Sequence, residues 1–97
     1  MTFPVVWTPE AQADLEEAYA WYADRGSQVA ERFALAVEAT VQAIAGNPQQ
    51  FPVVHRGRRR AGVRRFPSGI IFEVQEERIV VMACFHGRRN PQRWRLR

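Results

Sequence analysis

Lysine is absent: all fourteen basic side chains of this 97-residue chain are arginines. Cysteine occurs once, as Cys84, which excludes an intramolecular disulfide and any cysteine-cluster zinc site. Its place in an apolar run makes it a small core residue. No apolar run approaches the length of a membrane span. The opening "MTFPVVWTPE" lacks the basic and apolar regions of a secretory leader, so a soluble cytoplasmic protein is expected. There is no glycine-rich phosphate loop, no HExxH and no serine in a nucleophile elbow, and Ser68 reads simply as a turn residue. Classical kinase, hydrolase and metalloenzyme chemistries are therefore unsupported, and neither cofactor nor metal is expected.

What the chain does have is segregated charge. Residues 1–50 hold seven acids and two arginines, a balance of −5; residues 51–97 hold twelve arginines and three glutamates, a balance of +9. Arginine codons are GC-rich, so genomic composition explains the missing lysine. It does not explain the division. Guanidinium forks suit bidentate contact with phosphate or carboxylate, so the basic half points to nucleic acid or an acidic protein partner.

The length gives one domain, residues 1–97, with one core. "FPVVW" (3–7) reads as a short strand. Thr8-Pro9-Glu10 is a helix start, with a hydroxyl cap, proline at the first position and an acid at the positive dipole end. The helix should run to about Asp24, with Ala11, Leu15, Ala18 and Tyr22 as its apolar stripe and Asp14, Glu16, Glu17 and Asp24 left largely to solvent. Gly26 breaks the chain and Ser27 can cap a second helix, about 28–45, striped by Ala30, Phe33, Val37, Val41 and Ile44. Gly46-Asn47-Pro48 stops it. So short a link makes the two helices an antiparallel hairpin.

After Pro48 the period changes to alternation. Residues 58–66, 70–75 and 78–86 read as strands, the last apolar enough to be central and covered on both faces. In the middle one, Ile70, Phe72 and Val74 should face inward. The order β-α-α-β-β-β predicts an α+β fold: a helix hairpin on one face of a mainly antiparallel, three- to four-stranded sheet whose open face carries arginines.

Several residues could carry chemistry. His86 ends the last strand and could be bonded to backbone, or could serve as a general acid or base. Arg64 and Arg65 should point to opposite faces, so at most one shares a face with Arg58 and Arg60. The Arg58–Arg60 run is either solvated or a polyanion contact. In "FHGRRNPQRWRLR" (85–97), Arg88 and Arg89 follow the strand closely, and Trp94 should pack on the fold or on a partner. Trp21 and Tyr19 sit at the rim of the first helix stripe.

The segments "EAQADLEEAYAWY", "AERFALAVEATVQAI", "NPQQFPVV", "RRFPSGIIFEV" and "RIVVMACFHGRRNPQRW" together resemble the RelE/ParE superfamily of type II toxins over nearly the whole chain. The superfamily fold agrees with the one read above. One branch comprises ribosome-dependent mRNA endoribonucleases, the other non-nuclease poisons of DNA gyrase. By resemblance, a nuclease would need an arginine in a Tyr-Arg pair where Ser68-Gly69 stands, an arginine just after the last strand, where Arg88 stands, and a C-terminal tyrosine where Trp94 stands. A reduced nuclease site would have to be built from His86, Arg88, Arg64 and Arg60. "RRFP" and "FHGRRNP" look like the ParE branch. The resemblance thus implies a gyrase-binding toxin, with Arg88, Arg89, Arg93 and Trp94 toward the target and its DNA. A degenerate member that poisons nothing is a further alternative. A cognate antitoxin, of ribbon-helix-helix type with an acidic tail, would contact Arg58, Arg60, Arg64, Trp21 and Tyr19.

Overall fold

The computed structural model describes residues 2–86 and 92–97, the side chains of Gln92 and Arg93 excepted. Along the chain run β1 (Val5–Trp7), α1 (Pro9–Ala23), α2 (Ser27–Gly46), a 3-10 turn (Pro48–Gln50), β2 (Val53–His55), β3 (Arg58–Gly62), β4 (Ser68–Gln75), β5 (Arg78–His86) and α3 (Gln92–Arg95). The strands form one five-stranded sheet in the order β1-β5-β4-β3-β2. Only β1 and β5 pair in parallel; the helix hairpin after β1 carries the chain across the sheet to β2 at the opposite edge, and three antiparallel steps bring it back to β5. No helix among the described residues is long and apolar enough to cross a membrane.

The helices begin for local reasons. Thr8 Oγ1 accepts from the Ala11 N–H at 3.1 Å, and Pro9 occupies the first turn, where its missing N–H costs nothing. Ser27 does not cap α2. Gly26 stands at that position with φ +148°, a conformation side chains resist, and Ser27 is the first helical residue. Both predicted stripes face the core, with Leu15 and Val41 only partly buried at its margin. Tyr22 lies 4.7 Å from Phe33 across the hairpin, and Ile70, Phe72, Ile79 and Val81 complete the core from the sheet. Val74, expected inward, is exposed at the strand's end.

Three further expectations, on the extent and covering of the sheet, need correction. The sheet has five strands rather than three or four, since Val53–His55 pairs with β3 after Pro52; three residues were too few to show a period. The third strand stops at Gly62, and residues 64–67 turn, with Arg65 at φ +70°. The far face of the sheet is not fully open. There α3 lays Trp94 over Ile71 and Ala83, leaving the residue 7% exposed.

Asp14 is the residue whose environment was least foreseeable. It does not face solvent. Its carboxylate accepts from the Cys84 N–H at 3.1 Å and from both terminal nitrogens of Arg97, at 2.5 and 3.1 Å. Arg97 in turn donates to the Met82 carbonyl at 3.1 Å. These side chains take up β5 backbone groups just past Trp7, where β1 ends opposite Val81. Asp14→Asn keeps the shape but removes the charge that the guanidinium faces. A loss of about 2 kcal/mol is expected, the cost of a broken, largely buried charge-assisted pair. Urea denaturation should show a lower midpoint with unchanged slope.

Candidate functional site

The sheet's two faces hold different parts of the predicted site, and a bulge decides which residue goes where. The β4–β5 register passes from Ile71 opposite Ala83 to Phe72 opposite Val81, leaving Met82 as an extra residue. Met82 and Ala83 therefore both face α3, while Val81 and Cys84 both face the helix hairpin. Strict alternation would have turned His86 to the α3 side. The bulge turns it to the helices instead.

There His86 is half-buried among aromatics, its ring centroid 4.3 Å from that of Trp21 and 4.9 Å from that of Tyr22. Its Nδ1 lies 3.4 Å from the Ser68 hydroxyl, so Ser68 is a buried partner as well as a strand residue. Cys84 is buried beneath, and desolvation followed by the Asp14 charge pushes its thiol up to about 12. It is a protonated core residue, unsuited to act as a nucleophile.

Arg58 and Arg60 share the opposite face, as alternation required, whereas Arg59 turns to the helix side and donates to the Phe51 carbonyl at 2.6 Å. Arg58 serves the fold. It donates to the main-chain oxygens of Trp94 (3.2 Å) and Arg97 (2.9 Å) and lies 3.8 Å from the Glu73 carboxylate. These bonds satisfy oxygens at the C-terminal end of α3, where positive charge is favoured. Arg60 is exposed, its guanidinium 5.3 Å from the centre of the Phe85 ring.

Phe85 itself fills the place of a side chain at Gly69. A Cβ built there would lie 2.3 Å from Phe85 Cζ and 2.6 Å from Cε1, so the ring lies against bare backbone. The position where a nuclease of the resembled superfamily carries arginine is occupied by a phenyl ring.

Arg64 belongs to a third surface. With Arg32 and Arg65 it rims a groove of about 910 Å³ between α2 and the turn after β3, floored by Ala36, Ala39, Ala43, Phe51 and Phe66. Leu35, also lining it, is 65% exposed. Sequence reasoning missed Arg32 and this groove. Its only trace was the apolar Leu35, which lies off the predicted α2 stripe. Tyr19 lies elsewhere, in a smaller hollow of about 280 Å³ between α1 and α2 with Leu15, Ala34 and Val37. Trp21 packs on His86 and carries the Arg25 guanidinium 3.2 Å above its ring.

The predicted residues are therefore dispersed. His86 lies on the helix side, Arg60 on the α3 side and Arg64 at the α2 groove; Arg88 and Arg89 fall outside the described residues, as does the side chain of Arg93. Trp94 is an internal anchor. Among the described residues no group of three or more His, Cys, Asp or Glu side chains could hold a metal ion.

A helix hairpin on a mixed five-stranded sheet, with basic side chains distributed over both faces, defines a RelE/ParE-type toxin fold. A chain of the chromosomal ParDE TA system from P. aeruginosa superposes with a TM-score of 0.77 at 22% identity, over 89% of this chain and 97% of that one. A chain of the toxin–antitoxin complex RelBE2 from Mycobacterium tuberculosis gives 0.64 at 17% identity, over 89% and 99%. Toxin ParE2 of Mycobacterium tuberculosis, in strains CDC 1551 / Oshkosh and H37Rv, is 30% identical over 79 residues, 80% of this chain and 75% of its own length. The family model described as the ParE toxin of the type II toxin-antitoxin system, parDE, matches residues 5–91. The chain belongs to that family, and a type II system pairs such a toxin with a cognate antitoxin.

The fit of Phe85 against Gly69 can be tested directly. Gly69→Ala should destabilise the fold by about 1–3 kcal/mol through overpacking. Combining it with Phe85→Leu should recover part of that loss in a double-mutant cycle read by denaturant unfolding.

Proposed function

We propose that this toxin inhibits growth in the cytoplasm by binding DNA gyrase, without turnover of its own. Membership of the ParE family supports the target, and one observation favours binding over catalysis. Of the groups from which an RNA-cutting site would be assembled, the three that are described, His86, Arg60 and Arg64, lie on different surfaces, with the sheet between His86 and Arg60. Attack of a 2′-hydroxyl on its own phosphodiester needs a base within hydrogen-bond reach of the nucleophile and a cation near the developing charge. A histidine packed on Trp21 and Tyr22 is poorly disposed for that role. The basic second half of the chain is assigned to the complex of gyrase and its DNA.

The α2 groove suits the antitoxin. Its apolar floor would take the apolar face of an amphipathic helix, and Arg32, Arg64 and Arg65 on the rim would meet acidic side chains. Charge of opposite sign would speed the encounter and fix its register.

Purified toxin added to gyrase should block supercoiling and accumulate cleaved DNA, and should leave mRNA intact on translating ribosomes. Cut mRNA with unaffected supercoiling would sink the gyrase reading. For the groove, Arg64→Glu with Arg65→Glu should weaken antitoxin binding at least tenfold, more than 1.4 kcal/mol. Unchanged affinity in calorimetry would move the antitoxin to another surface.

A further inference from the structure

A cluster of basic side chains at one corner of the molecule is left over from the contacts of the fold and of the groove. The β2–β3 hairpin turns through Arg56 (φ +48°) and Gly57 (φ +79°), the positive-φ pair that a two-residue turn favours. This presents Arg56 at the tip, next to His55. The His55 ring centroid lies 5.9 Å from Trp94, and the Arg95 guanidinium lies 5.5 Å from the same indole. Two elements far apart in sequence thus bring His55 and Arg95 to one aromatic anchor, which Arg58 fixes through the Trp94 carbonyl, with Arg56 beside His55.

The arginines of the fold have partners: Arg97 has Asp14, and Arg58 has Glu73 and two main-chain oxygens. Arg56 and Arg95 are exposed and pair with no carboxylate among the described residues. The local field is positive enough to act on its neighbours. Partial desolvation, then the charges of Arg56, Arg95 and Arg58, hold the His55 pKa below its ordinary 6.5. Such a corner is costly to leave empty and attractive to an anion.

We infer that His55, Arg56 and Arg95 form a phosphate-backbone contact for double-stranded DNA, made by the toxin itself. Duplex rather than single strand follows from the aromatics. Single-strand binders stack bases on exposed rings, and here Trp94 is buried against the sheet. Nucleic acid rather than an acidic protein follows from the surroundings: the exposed apolar side chains of these elements, Val53 and Val54 on β2 and Leu96 after α3, are successive on a strand or on separate elements and line neither of the two grooves described above, which lie on the helix layer. The choice of DNA over RNA rests on the gyrase reading. The contact positions without reading sequence, since arginines on phosphates carry no base information.

The test is fluorescence anisotropy of a labelled mixed-sequence DNA duplex with toxin alone, across a salt series. Arg56→Gln with Arg95→Gln should reduce the slope of log affinity against log salt by about 2, one phosphate contact per arginine, and weaken binding about tenfold at low salt. Arg25→Gln with Arg78→Gln removes the same charge elsewhere and should change little. Equal losses in the two double variants would reduce the effect to net charge and overturn the site. So would tighter binding of duplex RNA or of a single strand, or a loss confined to antitoxin binding. Because gyrase is absent from the assay, no DNA binding would end this inference and leave the gyrase reading standing. Inhibition of supercoiling by the Arg56/Arg95 variant is read separately.

Discussion

The ion pair of Asp14 and Arg97 closes a gap that the strand lengths create. β1 is three residues long and β5 nine, so most of β5 has no main-chain neighbour on that side. The Thr8 N–H still reaches the Val81 carbonyl at 3.1 Å, and beyond it side chains take over, Arg97 on Met82 and Asp14 on Cys84. An exposed strand edge is a template for unwanted pairing, and this one is covered by charge. The two side chains come from opposite layers, α1 above the sheet and the segment after α3 below it. A single bidentate contact therefore fastens both layers to β5.

That fastening makes sense of the arginines on the α3 side. Arg58 holds the main chain of α3 from the sheet and Asp14 holds Arg97 from the helix layer, so a four-residue helix, too short to be stable alone, is fixed at two points with Trp94 as its plug. Part of the +9 charge in the second half is thus structural. A basic patch counted from sequence overstates the surface available to a partner, and the remainder has to be found side chain by side chain.

Much of the fold was legible because its signals are periodic and local. The Thr8 cap and both apolar stripes obey rules acting within a few residues, and the covered strand 78–86 announces itself by composition. The failures share a cause as well. Asp14 looks solvent-facing on a helical wheel because its partner lies 83 positions away. β2 and α3, at three and four residues, are shorter than any period that could reveal them. The bulge at Met82 has no sequence mark, yet it reverses the facing of every later residue in β5. The candidate site was legible as a set of residue types and not as a constellation, since which arginines are free depends on contacts made across the sheet.

The bulge also bears on how one fold serves two chemistries. A sheet that presents Arg60, position 69 and the end of β5 on one face could gather cations and a proton acceptor around a phosphate. Here Met82 shifts His86 to the other face, and Phe85 covers the bare backbone of Gly69. Placing an arginine at position 69 alone would leave His86 behind the sheet and its own Cβ inside a phenyl ring. At least two coupled changes, a smaller residue at 85 and a reset register, would be needed to bring an arginine at 69 and His86 to one face. A binding surface needs no such convergence: its cations can lie on hairpin tip, groove rim and tail, each placed by a different part of the fold.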